Sequence, residues 1–343
     1  MYKSYLNKLL FTCFIFVVFF VLLNYAVDPY GYNSRDDKFI KNISMLNKPH
    51  VTNARLNSDG YYYLIGTSRM SRVDPKVIEN ITGKGTHNIK IDGATLKENL
   101  LLVKEVKKRN KNFIFGFDAF LLNQNRLSHK EINNRYSIYK DELSQSTLLT
   151  KFFNSDITIR SVQHILKSIR GKDRNKQFKD ENAQNPEQSY DFSFENIVAN
   201  SGVLNEKGIE RKRFSNYKIY PDKKIFELAK IATREDIFVI FPKHYFYYDV
   251  FSKYQDIEKK YFSAIKLLVE NTKAKVWVFY GKNYITTNKH NFNDTGWHFK
   301  PKISDLIFSK IFNQGDSIHS FGTLLNKGKI DAQLNRISNI YKE

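Results

Sequence analysis

The chain is nearly devoid of cysteine. Cys13 is the one cysteine among 343 residues, and it falls inside an apolar run near the N-terminus. Disulfide bonds within a folded domain are therefore excluded. The histidines also lack the spacing with cysteine or with one another that metal sites require. The sequence therefore predicts neither a metal ion nor another cofactor.

A signal-peptidase site is lacking as well. The apolar run at residues 9–27 is close to the ~20 residues that a spanning helix needs, and Lys3 and Lys8 precede it. Because no Ala-x-Ala-like cleavage site follows, we interpret the run as an uncleaved signal anchor. The positive-inside rule favours a cytoplasmic N-terminus at residues 1–8, although basic residues beyond the run dilute the bias. We expect a single-pass protein of the cytoplasmic (inner) membrane, with its globular domain on the periplasmic or extracellular side.

Acidic residues are few. The chain has 35 Asp and Glu residues against 55 Lys and Arg residues, which gives a net charge of +20. An acidic partner is therefore expected. Nucleic acid is the usual partner of a basic chain, but no nucleic-acid-binding motif is present and an exported domain would not meet it. Anionic lipid head groups or an acidic envelope polysaccharide fit the predicted compartment. The alternative is that the lysines solvate the surface and reflect coding bias.

Short apolar runs alternate with helical patterns beyond residue 60. Continuous apolar runs at 113–117, 237–241 and 276–280 predict buried strands, and amphipathic segments at 95–108 and 257–269 predict helices. Fully apolar strands separated by helices indicate a parallel sheet covered on both faces. The predicted fold class is therefore α/β.

Composition shifts set the predicted domain boundaries. Residues 28–60 are polar and predict a membrane-proximal connector, and residues 61–343 predict the α/β domain. An insertion interrupts that domain at about 121–220. Within the insertion, residues 170–188 are charged and aperiodic and predict a mobile loop.

One strand, turn and helix carries the clearest chemical signal. Residues 61–72 read YYYLIGTSRMSR, and Asp74 with Pro75 then opens a helix. Ser68 follows the strand, where an open parallel sheet binds ligands and where amide groups can hold an anion. A serine in this place is suited to acyl transfer. The alternative is that Gly66, Thr67 and Ser68 are ordinary turn residues.

Four stretches of the chain form a set: residues 24–31 (NYAVDPYG) after the apolar run, residues 66–69 (GTSR), residues 293–301 (NDTGWHFKP) before a last helix, and residues 320–325 with 330–334 (SFGTLL and IDAQL). Together they resemble the SGNH (GDSL-like) hydrolase superfamily, with GTSR as the nucleophile block and the fourth stretch as the tail. The likeness is closer to its membrane-anchored members found with bacterial cell-envelope polysaccharide genes. The resemblance implies a three-layer α/β/α sandwich with a parallel, flavodoxin-like sheet, preceded by one N-terminal transmembrane helix.

The resemblance also implies a catalytic set. Ser68 would be the nucleophile, His298 its general base and Asp294 the acid that orients the base. Asp294 and His298 are four residues apart where the superfamily usually has three, so a backbone carbonyl could orient His298 instead. Asp316 and His319 have the usual spacing but lie in the tail.

Three further residues are implied around the developing negative charge. The amides of Ser68 and Gly93 would meet the oxyanion. Asp118 occupies the block in which the superfamily supplies an asparagine, and an ionised carboxylate cannot donate. Arg69, beside the nucleophile, is a candidate for substrate binding.

Two functions from different classes follow. The first is a membrane-tethered serine esterase or O-acyltransferase acting on cell-envelope glycan. A transferase would need a separate membrane protein as acyl donor. The second is a non-catalytic SGNH-like protein that binds envelope polysaccharide or assembly partners. The missing asparagine and the unusual Asp–His spacing favour the second function, and the G-x-S-R block with His298 favours the first.

Overall fold

Two segments of the chain build each of two structural units. The computed structural model describes residues 2–27, 49–125, 128–144, 152, 155–169, 217–245, 247, 256–292, 296–313 and 321–339. Unit 1 comprises Met1–Asp59 and Ile138–Gln188, and unit 2 comprises Gly60–Ser137 and Ser189–Glu343. Part of the predicted insertion therefore belongs to the same unit as the N-terminal apolar run.

Helices and strands alternate through most of the described chain. The described α-helices are α1 (Tyr2–Val27), α2 (Pro49–Leu56), α3 (Pro75–Thr82), α4 (Leu96–Lys108), α5 (His129–Ser144), α6 (Ser155–Ile169), α7 (Asp222–Ile231), α8 (Ile257–Asn271), α9 (Pro301–Asn313) and α10 (Ile330–Asn339). The described strands are β1 (Tyr62–Ile65), β2 (Thr86–Asn88), β3 (Asn112–Gly116), β4 (Ile237–Ile240), β5 (Lys275–Val278) and β6 (Thr323–Leu324).

The strands of unit 2 form one mixed, mostly parallel sheet. Their order is β2-β1-β3-β4-β5-β6, and every neighbouring pair from β2 to β5 is parallel. This confirms the α/β class. The expectation of a wholly parallel sheet is wrong at one edge, where β6 pairs antiparallel with β5. Thr323 and Leu324 are exposed, so no buried apolar run marked them as a strand.

One face of the sheet packs on α3 and α9. Tyr62 and Leu64 are two residues apart on β1 and therefore lie on the same face. They share one buried cluster with Val239 of β4, Ile78 of α3 and Ile307 of α9. The i, i+4 spacing of isoleucines along α9 gives that helix its apolar stripe.

A buried carboxylate joins β3, β4 and α4 at the opposite end of the strands from the turn that carries Ser68. Asp236, just before β4, is fully buried. It accepts hydrogen bonds from the Phe113 amide at 2.9 Å and from the Thr233 amide at 2.6 Å. Lys107 of α4 pairs with the same carboxylate. A buried charge is tolerated only when it is paired and hydrogen-bonded in this way.

Unit 1 contains the apolar run and part of the predicted connector. Among the described helices, α1 is long and apolar enough to cross a membrane, a property that signal sequences share. Nearly all of its side chains are exposed. Within the predicted connector, Pro49–Leu56 is helical, and the Asn53 amide donates to the Glu142 carbonyl oxygen at 2.8 Å.

Gly322 should be intolerant of a side chain. Its φ is +89°, and a Cβ there would come 2.3 Å from Cε1 of Phe279. Gly322→Ala should therefore lower the free energy of unfolding by about 2 kcal/mol or more, through backbone strain and overpacking. Urea unfolding of the full chain in detergent measures the change.

Gly328→Ala is the matched control. The nearest atom to a Cβ at Gly328 is Oδ1 of Asn326, at an ordinary 3.5 Å. The free energy of unfolding should change by no more than ~0.5 kcal/mol. Equal losses in the two variants would contradict the packing described around Phe279.

Candidate active site

The turn after β1 carries Ser68 at the carboxyl edge of the sheet. Gly66 has φ +154°, a conformation that L side chains rarely adopt, and a Cβ there would lie 3.4 Å from the backbone of Gly116 at the end of β3. A short 3-10 helix, Ser68–Arg72, follows. Asp74 then caps α3 by accepting from the Lys76 amide at 3.0 Å, with Pro75 at the first position. The predicted strand, turn and helix start are confirmed.

His298 lies beside Ser68. The Oγ atom of Ser68 and the Nε2 atom of His298 are 2.8 Å apart, although the two residues are separated by 230 positions in the chain. The segment that bears His298 is held by the Lys300 amide, which donates to the Asn291 carbonyl oxygen at 2.8 Å. A general base must come within hydrogen-bond distance of the hydroxyl that it deprotonates. Ser68 and His298 satisfy this requirement.

The surroundings of His298 keep its ring neutral. Burial is the main cause that lowers the pKa of His298, to about 3, and the Arg69 and Arg72 guanidinium groups add to the effect. The carboxylates of Asp118 and Asp92 oppose it. At neutral pH the imidazole is therefore unprotonated, as a proton acceptor must be.

Arg69 ties the turn that carries Ser68 to the segment that carries His298. Its side chain is buried. Its Nη2 donates to the Trp297 carbonyl oxygen at 2.8 Å, and its Nη1 donates to the Phe241 carbonyl oxygen at 3.4 Å. The guanidinium carbon also lies 4.6 Å from the centre of the Trp297 ring. The residue predicted to bind substrate is thus turned inward and fixes the main chain immediately before His298.

Asp118 is hydrogen-bonded to the turn that carries Ser68 and to the loop after β3. Its Oδ2 accepts from the Thr67 hydroxyl at 3.0 Å, and its Oδ1 accepts from the amides of Phe120 and Leu121 at 2.8 and 3.2 Å. The carboxylate is buried, and both of its oxygens accept hydrogen bonds. It therefore anchors the residue before Ser68 to the loop after β3.

The amides of Ser68 and Gly93 are available as donors. Among the described residues, neither N–H group donates to another main-chain or side-chain acceptor. The turn that contains Gly93 follows β2 and lies next to the turn that contains Ser68, because the Ile91 amide donates to the Gly66 carbonyl oxygen at 3.1 Å. Arg135 Nη2 fixes this turn by donating to the Asp92 carbonyl oxygen at 3.2 Å.

Lys243 is a buried member of the site that the sequence did not single out. It follows β4, and its Nζ lies 4.6 Å from the centre of the Trp297 ring and 5.6 Å from those of Tyr261 and Tyr280. Burial lowers the pKa of Lys243 well below its ordinary value, Arg69 adds to the effect, and Asp118 opposes it. The sequence signal that could have identified Lys243 is its place at the end of an apolar strand.

The remaining predicted residues lie outside the described chain. These are Asp294, the predicted partner of His298, and the alternative pair Asp316 and His319. Their roles stay predictions. Among the described residues, no group of three or more His, Cys, Asp or Glu side chains could hold a metal ion.

No protein-family model and no curated protein matches the chain.

Replacing Arg69 should loosen the segment that carries His298. In a Trp277→Phe background Trp297 is the sole tryptophan, because the chain has two. Arg69→Gln removes the guanidinium from the Trp297 ring and weakens the bond to its carbonyl oxygen. We expect acrylamide to quench Trp297 fluorescence more strongly than in the parent.

Arg109→Gln supplies the matched loss of one positive charge. Arg109 pairs with Glu105 on α4 at 2.8 Å. Its replacement should leave the quenching of Trp297 unchanged. Unchanged quenching in Arg69→Gln would show that the contacts of Arg69 do not hold the segment.

Proposed function

We propose that this protein is a membrane-tethered SGNH-like serine esterase or O-acyltransferase that acts on cell-envelope glycan. The observation that carries the proposal is the 2.8 Å separation of Ser68 Oγ and His298 Nε2 at the carboxyl edge of the sheet. The nearby amides of Ser68 and Gly93 support it, because acyl transfer needs donors for the oxyanion as well as a nucleophile and a base.

The first half of the proposed reaction forms an acyl-enzyme. Ser68 Oγ attacks the ester carbonyl carbon while His298 Nε2 takes the hydroxyl proton. The carbonyl oxygen becomes an oxyanion that faces the Ser68 and Gly93 amides. When the intermediate collapses, the bond to the leaving alcohol breaks and His298 returns the proton to that alcohol.

The second half distinguishes an esterase from a transferase. His298 deprotonates an incoming hydroxyl group, whose oxygen attacks the acyl carbon, and the bond to Ser68 Oγ breaks. Ser68 recovers its proton from His298. Water as the acceptor gives hydrolysis, and a glycan hydroxyl gives O-acylation. In the second case a separate membrane protein supplies the acyl group.

The imidazolium formed in each half needs a compensating negative charge. Arg69 and Arg72 disfavour the protonated ring, whereas Asp92 and Asp118 favour it. The proposed role of Asp294 is to orient His298 and to add to this compensation. A backbone carbonyl is the alternative orienting group.

The proposed setting follows from the fold and the charge. Sheet order and the serine turn are consistent with a three-layer SGNH-like sandwich. A single-pass anchor in the cytoplasmic membrane, formed by α1, would hold the domain on the periplasmic or extracellular side. The net charge of +20 favours acidic polysaccharide or anionic lipid as partner over a neutral glycan.

One observation favours the alternative function, a non-catalytic protein that binds or assembles envelope polysaccharide. Asp118 stands where an additional oxyanion donor is expected, and it accepts hydrogen bonds from Thr67, Phe120 and Leu121 instead. Two amides then remain to stabilise the oxyanion. Loss of one such donor typically costs about 10²–10³-fold in kcat.

Substitution of Ser68 and His298 tests catalysis. Ser68→Ala should abolish hydrolysis of p-nitrophenyl acetate, and His298→Ala should lower kcat by about 10²-fold or more because the general base is lost. Initial rates of the full chain in detergent provide the measurement, with circular dichroism to verify folding.

Two other histidines serve as controls. His290→Ala removes an exposed ring, and His319→Ala removes the histidine of the tail, so both variants should stay near wild type. Loss of activity in His319→Ala but not in His298→Ala would move the pair to Asp316 and His319. If folded Ser68→Ala and His298→Ala both match the wild type, the binding function replaces the catalytic one.

The pH profile should reflect the lowered pKa of His298. A base with a pKa of about 3, below its usual 6.5, stays unprotonated far into the acid range. The kcat/KM for p-nitrophenyl acetate should therefore stay level from about pH 8 to about pH 5. Arg72→Gln removes a positive charge near the ring, so its acid limb should move to higher pH, whereas Arg109→Gln should not change it. An acid limb near the ordinary histidine pKa in the wild type would contradict this assignment.

A further inference from the structure

An exposed apolar stripe runs along α6. Ile159, Val162 and Leu166 have exposed fractions of 55%, 41% and 46%. Their spacing of three and four residues places them on one face of the helix. These three side chains form the α6 stripe.

The α6 stripe is separate from the face by which α6 packs within unit 1. Ile157 and Ser161 are buried, and they lie nearly opposite the stripe at 100° per residue. Among the described side chains of α6, Ile157 is buried and Ile165 is partly buried, whereas the three of the stripe are in contact with solvent. Contiguous exposed apolar patches are candidate sites of contact with another protein or with a membrane.

The start of α6 is fastened to the end of α1. Nδ2 of Asn24 donates to the Phe152 carbonyl oxygen at 2.7 Å and to the Thr158 hydroxyl at 2.9 Å. The rings of Tyr25 and Phe152 are 5.4 Å apart. Asn24 is the one buried residue of α1, so α6 is attached within the last turn of the apolar helix.

We propose that the α6 stripe inserts into the lipid interface at the end of the bilayer where α1 leaves it. This inference rests on the membrane anchor of the proposed function. If α1 spans the bilayer, Asn24 and Tyr25 lie where the hydrocarbon gives way to head groups, and α6 begins at the same depth. An amphipathic helix at that depth lies with its apolar side chains at the boundary between head groups and acyl chains.

A lipid surface fits the stripe better than a protein partner. The three side chains of the α6 stripe are all aliphatic, whereas protein–protein hot spots are enriched in Trp, Tyr and Arg. Three side chains also offer much less than the ~800 Å² per partner of a standard protein interface. The exposed apolar side chains of α1 continue to Tyr25, next to Asn24, whose hydrogen bond to Thr158 holds the start of α6.

Nitroxide labels on single cysteines test the proposal in the full chain reconstituted in phosphatidylglycerol-containing liposomes. The native Cys13 is exposed on α1, so its label reports on the anchor. In a Cys13→Ser background, Ile159→Cys, Val162→Cys and Leu166→Cys report on the stripe, and Lys140→Cys reports an exposed position elsewhere in unit 1. Each label is measured for its accessibility to oxygen, which partitions into lipid, and to a water-soluble nickel chelate.

The expected oxygen-to-nickel ratio is high at Cys13 and at the three stripe positions, and several-fold lower at Lys140→Cys. A high ratio at Cys13 with stripe ratios equal to that of Lys140→Cys would overturn the inference and leave the anchor intact. Low access of both reagents at the stripe would mean that protein covers it, either a second copy or a partner. A low ratio at Cys13 would remove the anchor and the inference with it. Using three stripe positions guards against one label that perturbs α6.

Discussion

The candidate site depends on the close approach of two glycines where β1 and β3 end. A Cβ on Gly66 would lie 3.4 Å from Cα, N and O of Gly116, and one on Gly116 would lie 3.0 Å from the Phe241 ring. A side chain at Gly66 is disfavoured by its φ of +154°, and the turn after β1 lies against the loop after β3, where the Thr67 hydroxyl donates to Asp118. That contact holds the residue directly before Ser68, so the placement of Ser68 begins with backbone packing.

The core of the fold could be predicted because its signals are local. The runs at 113–117, 237–241 and 276–280 became β3, β4 and β5 within one or two residues, since continuous apolar runs between helices indicate buried parallel strands. The antiparallel edge strand β6 could not be predicted in the same way. Its two residues are exposed, and its pairing with β5 is set by tertiary contact. A local sequence pattern carries no information about such a contact.

The residues of the candidate site divide in the same way, into those that local sequence signals reveal and those that only tertiary contacts reveal. Ser68 and His298 were located from the residues around them, and their proximity followed from the resemblance of both segments to one superfamily. The inward direction of Arg69 was not predictable, because its acceptors are 172 and 228 residues away. Lys243 was missed for a related reason: lysine is almost always a surface residue, and burial among three aromatic rings becomes visible only in the folded chain. Arg69 adds to burial in lowering the pKa of His298, and Lys243 lies against the ring of Trp297, the residue before His298.

The adjacency of β3 and β4 has a consequence for how the chain reaches its native state. Phe113 and Asp236 are hydrogen-bonded across 123 positions, whereas β1, β2 and β3 all come from residues 62–116. Closing a long loop adds little to the equilibrium cost, since that cost grows only with the logarithm of loop length, but non-local pairing slows folding. We therefore expect the β2-β1-β3 half of the sheet to acquire protection from hydrogen exchange before β4 and β5. Ser68 would then be positioned in a nascent half-sheet before the last quarter of the chain brings His298 beside it.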